Sequence, residues 1–172
     1  LVQALRELGA EIHFLGKEGY PPLQIGEMKK NWGPRPIIHI PASTSSQFLS
    51  ALLLIGPRLP NGLELVPEGA LVSRPYLEMT LQIMRYFGAT AAWQGERIVV
   101  EPGEYSARPF QVEADWSAAS YWYAMAAFSD DLDLRLRGLF PDSWQGDAVL
   151  AEMMQRFGIQ TFFEEEGIVL KK

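Results

Sequence analysis

Cysteine is absent from this 172-residue chain. Neither a disulfide framework nor a thiolate metal site can be built from it, a usage that suits a reducing compartment and sets the expectation of a cytoplasmic protein. No apolar run approaches the roughly 20 residues that a membrane span needs, so no membrane association is expected, and no signal peptide. Glycine-rich phosphate cradles are missing too, since neither G-x-x-x-x-G-K-[ST] nor G-x-G-x-x-G occurs. Basic charge is scarce: 15 Lys and Arg stand against 21 Asp and Glu, for a net charge of -6. No basic face of any length can be drawn, which argues against nucleic acid as a partner. The one local basic cluster, Lys29, Lys30 and Arg35, is interrupted by Asn31-Trp32-Gly33-Pro34 and reads as a solvated loop.

What is present is a globular composition, 48% hydrophobic, long enough for one ordinary core or two small ones. The charge is unevenly placed. Residues 1–112 carry ten acids and ten bases, whereas residues 113–172 carry eleven acids and five bases, a shift of the kind found at domain boundaries. The turn-rich stretch Glu101-Pro102-Gly103-Glu104-Tyr105-Ser106-Ala107-Arg108-Pro109 lies just before that shift and marks a domain junction. Leu1, Ala4, Leu5 and Leu8 have the spacing of an amphipathic helix already under way, so an interior piece of a longer protein is expected.

The stretch that organises the chain is Ser43-Thr44-Ser45-Ser46-Gln47-Phe48-Leu49-Ser50-Ala51-Leu52-Leu53-Leu54-Ile55-Gly56-Pro57. Hydroxyls that can cap the free N–H groups of a first helical turn feed directly into an apolar segment. Apolar residues occupy nearly every face, which predicts a core helix covered on several sides. Donors left over at the helix start favour an anion such as a phosphate. A cap alone also accounts for a serine-rich helix start.

In chain order, a helix tail ends at Leu8-Gly9-Ala10 and leads into strands at Glu11–Leu15 and Leu23–Ile25. Strand Ile37–Ile40, the organising helix, strand Leu63–Val66, and a helix capped by Ser73 with Leu77, Leu81, Met84 and Phe87 on one face then follow. Gly88 can end that helix in a left-handed conformation, and a hairpin of Ala91-Ala92-Trp93 with Ile98-Val99-Val100 closes the unit. The order recurs: strand Phe110–Glu113, helix Ser117–Phe128, strand Leu132–Arg137, helix Ala148–Phe157 carrying Val149, Leu150, Met153, Met154 and Phe157 inward, and hairpin Thr161–Phe163 with Ile168–Leu170. Phe87-Gly88-Ala89, Phe157-Gly158-Ile159 and Leu8-Gly9-Ala10 align as three copies of one corner. A β-α-β-α-β-β unit of roughly 65 to 70 residues is repeated. The fold class expected is therefore α/β (α+β), with parts of two domains.

Other chemistry-bearing residues have plain structural readings. Asp115, just before Ser117, reads as a helix cap, and Asp142 and Asp147 as a turn and a cap. His13 and His39 lie in strand patterns as surface or paired histidines. Met79, Met84, Met125, Met153 and Met154 fall at helical spacing and read as core filler. Without further information Ser73 is a cap and Tyr76 a surface aromatic.

Ser45-Ser46-Gln47-Phe48 with Ser50-Ala51-Leu52-Leu53, Ser73-Arg74-Pro75-Tyr76, and Asp115-Trp116-Ser117-Ala118-Ala119-Ser120-Tyr121 together resemble the 3-phosphoshikimate 1-carboxyvinyltransferases, or EPSP synthases. The resemblance spreads over nearly all of the chain. It implies two similar domains of three such enolpyruvyl transferase-type units each, joined by crossover strands. Residues 1–36 would then be the second half of one unit, 37–103 a complete unit of the same domain, 104–112 a crossover and 113–172 the first unit of the following domain. The family transfers the enolpyruvyl group of phosphoenolpyruvate to the 5-hydroxyl of shikimate 3-phosphate, with no metal or organic cofactor, as a monomer. By this resemblance Ser45 and Ser46 bind the 3-phosphate, Ser73 contributes to the same phosphate, Gln47 reaches between the shikimate ring and the enolpyruvyl phosphate, and Tyr76 packs beside the ring.

The family's cations for phosphoenolpyruvate and its proton-transfer groups have no counterpart here, so no catalytic residue is expected within these 172 residues. Arg74 is the only cation next to the phosphate-binding positions. Two other readings stay open: the related UDP-N-acetylglucosamine enolpyruvyl transferase, which uses a catalytic cysteine, and a non-catalytic module that has kept the repeat. Retention of Ser45, Ser46, Gln47, Ser73 and Tyr76 together weighs against the module.

Overall fold

Gly9 turns the chain out of its first helix into its first strand. The computed structural model describes residues 1–28, 33–71 and 73–172; Lys29 and Lys30 of the basic cluster, with Asn31 and Trp32, lie outside the described residues. Helix α1 (Val2–Glu7) runs into strand β1 (Ala10–Phe14), which pairs antiparallel with β2 (Leu23–Met28). The third member of the basic cluster, Arg35, is engaged: its guanidinium pairs with the Glu101 carboxylate and donates to the Asn61 carbonyl at 3.0 Å.

A complete β-α-β-α-β-β unit follows. Strand β3 (Ile37–Pro41) leads through helix α2 (Ser46–Ile55) to β4 (Leu63–Glu68), and helix α3 (Arg74–Tyr86) leads to the hairpin of β5 (Ala91–Gln94) and β6 (Arg97–Val100). The sheet order is β3-β4-β6-β5, with β3 parallel to β4 and the other pairs antiparallel. Parallel neighbours cannot be joined by a tight turn, so α2 must cross back over the sheet between them. Ile38, Ile40, Leu63, Leu65, Ile98 and Val100 supply the sheet side of the core, and Leu49, Leu52, Leu53, Leu77, Leu81 and Met84 the helix side. Ala4 and Leu8 of the first helical segment join the same core.

The organising helix departs from its expected burial on one side. Leu49, Leu52 and Leu53 are buried, while Phe48, Leu54 and Ile55 are exposed among the described residues. Its apolar residues surround the axis, but the sheet and α3 reach only part of that circumference. Residues 101–107 lie back over this unit. Gly103 N–H donates to the Pro57 carbonyl at 2.8 Å, Ser106 N–H to the Phe87 carbonyl at 2.7 Å, and Tyr105 Oη to the Leu54 carbonyl at 2.9 Å. Burial raises the Tyr105 phenol above its ordinary pKa.

The chain divides into two compact units, Leu1–Ala107 and Arg108–Lys172. In the second, helix α4 (Trp116–Ala127) is capped by Asp115, which accepts from Ser117 N–H at 2.8 Å. Trp116, Ala119, Tyr123 and Ala126 are spaced by three and four, and that face is buried. Strand β7 (Asp133–Arg137), helix α5 (Leu150–Met153), β8 (Gln160–Glu164) and β9 (Gly167–Lys171) complete the unit, with antiparallel sheet order β7-β9-β8.

Two expectations are corrected here. Phe110–Glu113 is not a strand. Phe110 stacks on Trp144, and the Glu113 carboxylate accepts from Ser143 Oγ and Gln145 Nε2 at 2.5 and 3.1 Å. These contacts hold the segment to the 143–145 loop, and Ala114 N–H to the Gly138 carbonyl, at 2.7 Å, is its backbone bond to the end of β7. The expected helix Ala148–Phe157 is instead α5 flanked by 3-10 turns, Gly146–Val149 and Met154–Phe157. A 3-10 turn holds three residues instead of 3.6, so the two flanking turns shift the inner face away from that of a continuous α-helix. Ala148, Leu150, Ala151 and Met154 pack on the core, so Leu150 and Met154 point inward as expected, while Val149, Met153 and Phe157 face out. Met153 and Met125, both read as core filler, are exposed, whereas Met84 is fully buried.

The repeated glycine corner recurs in detail. Gly9, Gly88 and Gly158 have φ of 93°, 91° and 80°, a region that favours glycine. Each donates its N–H to the carbonyl three residues back, and Ala89 and Ile159 donate to the carbonyls of Met84 and Met154, both 3.2 Å or shorter. Among the described residues no helix is long and apolar enough to cross a membrane.

Two outcomes are expected from this packing. Leu52→Ala should cost about 2–5 kcal/mol by opening a core cavity, and Leu54→Ala about 0.5 kcal/mol or less, in denaturant unfolding followed by circular dichroism. Burial raises the Tyr123 phenol above its ordinary 10.0, with the hydrogen bond to Thr161 opposing the rise. The fold thus favours the neutral phenol. Its contribution is full below pH 10.0 and is lost as pH climbs through the raised folded value, so alkaline thermal melts of the wild type should fall more steeply above pH 10.0 than those of Tyr123→Phe.

Candidate phosphate site at two helix starts

Chain direction places the candidate residues. Because β3 and β4 are parallel, α2 runs opposite to both; because β5 is antiparallel to β6 and β6 to β4, β5 runs with β4, and α3 must also run opposite to them. The starts of α2 and α3 therefore lie together at the edge where β3 and β4 end. That carboxyl edge of parallel strands is where open α/β sheets receive ligands.

At the α2 start, Ser45 is the N-cap, in an extended conformation with φ -51° and ψ 130°. Its Oγ accepts from Gln47 N–H at 3.4 Å, a long bond, and its carbonyl accepts from Phe48 N–H at 2.9 Å. Of the four hydroxyls from Ser43 to Ser46, this is the one that caps. Ser46 is half-buried as the first helical residue, and Ser45 and Gln47 are exposed.

Ser73 holds the N-cap position of α3, yet its side chain makes no capping bond. At φ -100° and ψ 31° it lies outside the extended region in which an N-cap oxygen turns back onto the first turn, so the expected cap is corrected to a position without that bond. Its carbonyl accepts from Tyr76 N–H at 3.2 Å, and Tyr76 is exposed. Neither helix has an acid in its first turn, so the positive end of each helix dipole is not offset from within.

Arg74 is committed elsewhere. Its guanidinium lies over the Trp93 ring, 4.6 Å from the centroid, and its Nε is 3.6 Å from the Glu78 carboxylate. The two helix starts present hydroxyls and helix N–H groups, an arrangement that can position a phosphate, while the Glu68 carboxylate at the end of β4 is paired with His39.

The remaining candidates behave as plain structure. Asp115 caps α4, and Asp147 accepts from Ser117 Oγ at 2.5 Å. His13 and His39 are exposed and paired with Glu11 and Glu68, at 3.2 and 3.0 Å.

One feature was not anticipated. Ser50 on α2 and Thr80 on α3 share a hydrogen bond of 2.7 Å, and Thr80 is buried. The signal was available: Thr80 is a hydroxyl on the same helical stripe as Leu77, Leu81 and Met84.

Comparison with known proteins supports the assignment to a family. The sequence model for EPSP synthase (3-phosphoshikimate 1-carboxyvinyltransferase) matches residues 1–172. Bacteroides fragilis 3-phosphoshikimate 1-carboxyvinyltransferase is 51% identical over 173 residues, covering 100% of this chain and 42% of its own length. The Neisseria meningitidis serogroup B protein of the same name is 37% identical, covering 100% of this chain and 40% of its own. The chain thus spans about two-fifths of the length of these curated relatives. Among solved structures, EPSP synthase from Acinetobacter baumannii superposes with a TM-score of 0.71 at 22% identity, covering 99% of this chain and 37% of that one, a likeness of fold. With its whole length matched by the family and its fold shared with a solved member, this chain belongs to the EPSP synthase family.

Proposed function

We propose that this chain carries part of the shikimate 3-phosphate site of an enzyme that transfers the enolpyruvyl group of phosphoenolpyruvate to the 5-hydroxyl of that substrate. The observation that carries the reading is the convergence of two hydroxyl-bearing helix starts, free of first-turn acids, on one strand edge. Ser45 and Ser46 hold the 3-phosphate with the α2 N–H groups, and Ser73 approaches the same phosphate from α3. Gln47 extends toward the enolpyruvyl phosphate, and Tyr76 lies beside the shikimate ring. A phosphate placed there gains from both helix dipoles and from charge-assisted bonds worth on the order of 1.5–3 kcal/mol each.

We assign no proton-transfer role to any residue of this chain. Arg74 is held by Trp93 and Glu78, and the cations and acid–base groups of the reaction belong to other parts of the protein. Residues 104–112 serve as the crossover between the two domains, and the protein works as a cytoplasmic monomer without metal or organic cofactor. The UDP-N-acetylglucosamine reading is not favoured, since the matching family and the relatives cited above carry the shikimate name.

Calorimetric titration of the whole protein with shikimate 3-phosphate, shikimate and inorganic phosphate tests the site. The phosphorylated substrate should bind at least about tenfold more tightly than shikimate, and Ser45→Ala should remove about tenfold of that affinity, the value of one charge-assisted bond. Equal binding of shikimate and its phosphate, or a silent Ser45→Ala, would sink the reading.

A further inference from the structure

Helices α2 and α3 meet through apolar side chains, and the Ser50–Thr80 hydrogen bond is a polar linkage among them. Thr80 Oγ1 donates its proton to the Tyr76 carbonyl at 2.9 Å, one turn back on α3. A hydroxyl has a single proton, so the 2.7 Å contact with Ser50 has Ser50 as donor and Thr80 as acceptor. The direction of the chain is fixed: Ser50 O–H to Thr80 Oγ1, Thr80 O–H to the Tyr76 carbonyl. It begins on one helix and ends on the backbone of a residue at the start of the other.

The heights along the two helices match. Ser50 lies four residues beyond Ser46, and Thr80 six beyond Arg74, or about 6 and 9 Å at the helical rise. Joining the helices at that level sets the starts of α2 and α3 within a few ångströms of the same height. An apolar contact between two helices tolerates a slide along the axis at small cost, because dispersion is non-directional. The hydroxyl pair is directional: a slide breaks the Ser50–Thr80 bond and leaves Thr80 Oγ1, on a buried residue, with its Tyr76 bond alone.

We propose that Ser50 and Thr80 are positioning residues for the phosphate site: their hydrogen bond sets the register of α2 against α3, and so the spacing of Ser45 and Ser46 from Ser73 and Tyr76. They act through the helices and touch no substrate. The inference rests on the site reading above and adds to it residues outside the ligand shell. Substrate phosphate, bound between the two starts, senses any slide directly.

The test is shikimate 3-phosphate affinity in the whole protein, by calorimetry, for the wild type, Thr80→Val, Thr80→Ser, Ser50→Ala, the double variant Ser50→Ala/Thr80→Val, and Leu52→Ala as a core-loosening control. Thr80→Val and Ser50→Ala should each weaken binding about five- to tenfold, the size of one hydrogen bond. The double variant should be no worse than the weaker single variant, and Thr80→Ser, which keeps the hydroxyl, should bind like the wild type. Should Thr80→Val fail to fold, Ser50→Ala, at a half-buried position, carries the comparison with Thr80→Ser. Unchanged affinity in Thr80→Val and Ser50→Ala, with affinity lowered about tenfold in Ser45→Ala, would overturn the positioning role and leave the site intact. An equal loss in Leu52→Ala at matched thermal stability would reduce the effect to general loosening and overturn it as well. Absence of binding in the wild type would remove the site reading and this inference together.

Discussion

Parallel pairing of β3 with β4 is the constraint on which the first unit depends. Two strands that run the same way need a crossover, and the apolar segment after Ser46 supplies it as a helix packed on the sheet. Once α2 runs against its strands, the return of the chain through α3 to β5 repeats the direction, because β5 is again parallel to β4. The helix starts are thereby brought to one edge without any interaction between the serines themselves. The core follows from the same geometry, with Ile38 and Ile40 on one sheet face opposing Leu49, Leu52 and Leu53.

The repeat is a repeat of corners more than of strands. Gly9, Gly88 and Gly158 share a left-handed turn and the same backward N–H bond, and in each case the chain leaves a helix and enters a strand. Between corners the second unit departs from the first. Its three strands match β4, β6 and β5 in order, while the residues before α4 are held by Trp144, Ser143 and Gln145 instead of forming a strand beside β7. Its second helix is flanked by tighter 3-10 turns, and Val149, Met153 and Phe157 are exposed while Leu150, Ala151 and Met154 pack inward.

At the candidate site the division between polar and apolar residues is consistent with anion binding without catalysis. The helix starts present hydroxyls and N–H groups, carry no first-turn acid, and leave Arg74 engaged by an aromatic ring and Glu78. Ser50 and Thr80 stand behind them as the polar link between the helices, paired with each other and with the Tyr76 carbonyl. A site assembled from two helix ends needs such a link, since each end is rigid in itself and the error lies in their relative height.

Local patterns were legible in the sequence wherever one residue type has one physical reason to be where it is. Alternation marked β7, and short apolar runs between turn residues marked β3, β4 and both hairpins; glycine after an apolar run marked the helix ends; Asp before Ser117 marked a cap, and the hydroxyl run before Phe48 marked a helix start. The candidate site residues were legible as two separate segments bearing hydroxyls. Less legible was whatever depended on a neighbour distant in sequence. Ser73 was read as a cap from its residue type, but at φ -100° and ψ 31° its side chain makes no capping bond. Phe110–Glu113 alternates like a strand, yet side-chain partners at 143–145 hold it. The sequence by itself determined most of the helix and strand segments, Phe110–Glu113 and the 3-10 turns around α5 excepted, and which segments carry hydroxyls, because periodicity and capping are local properties. Only the tertiary structure decided which side of α2 is buried, that the two serine-bearing starts share an edge, and that Ser50 meets Thr80, because each depends on strand pairing between residues far apart in the chain.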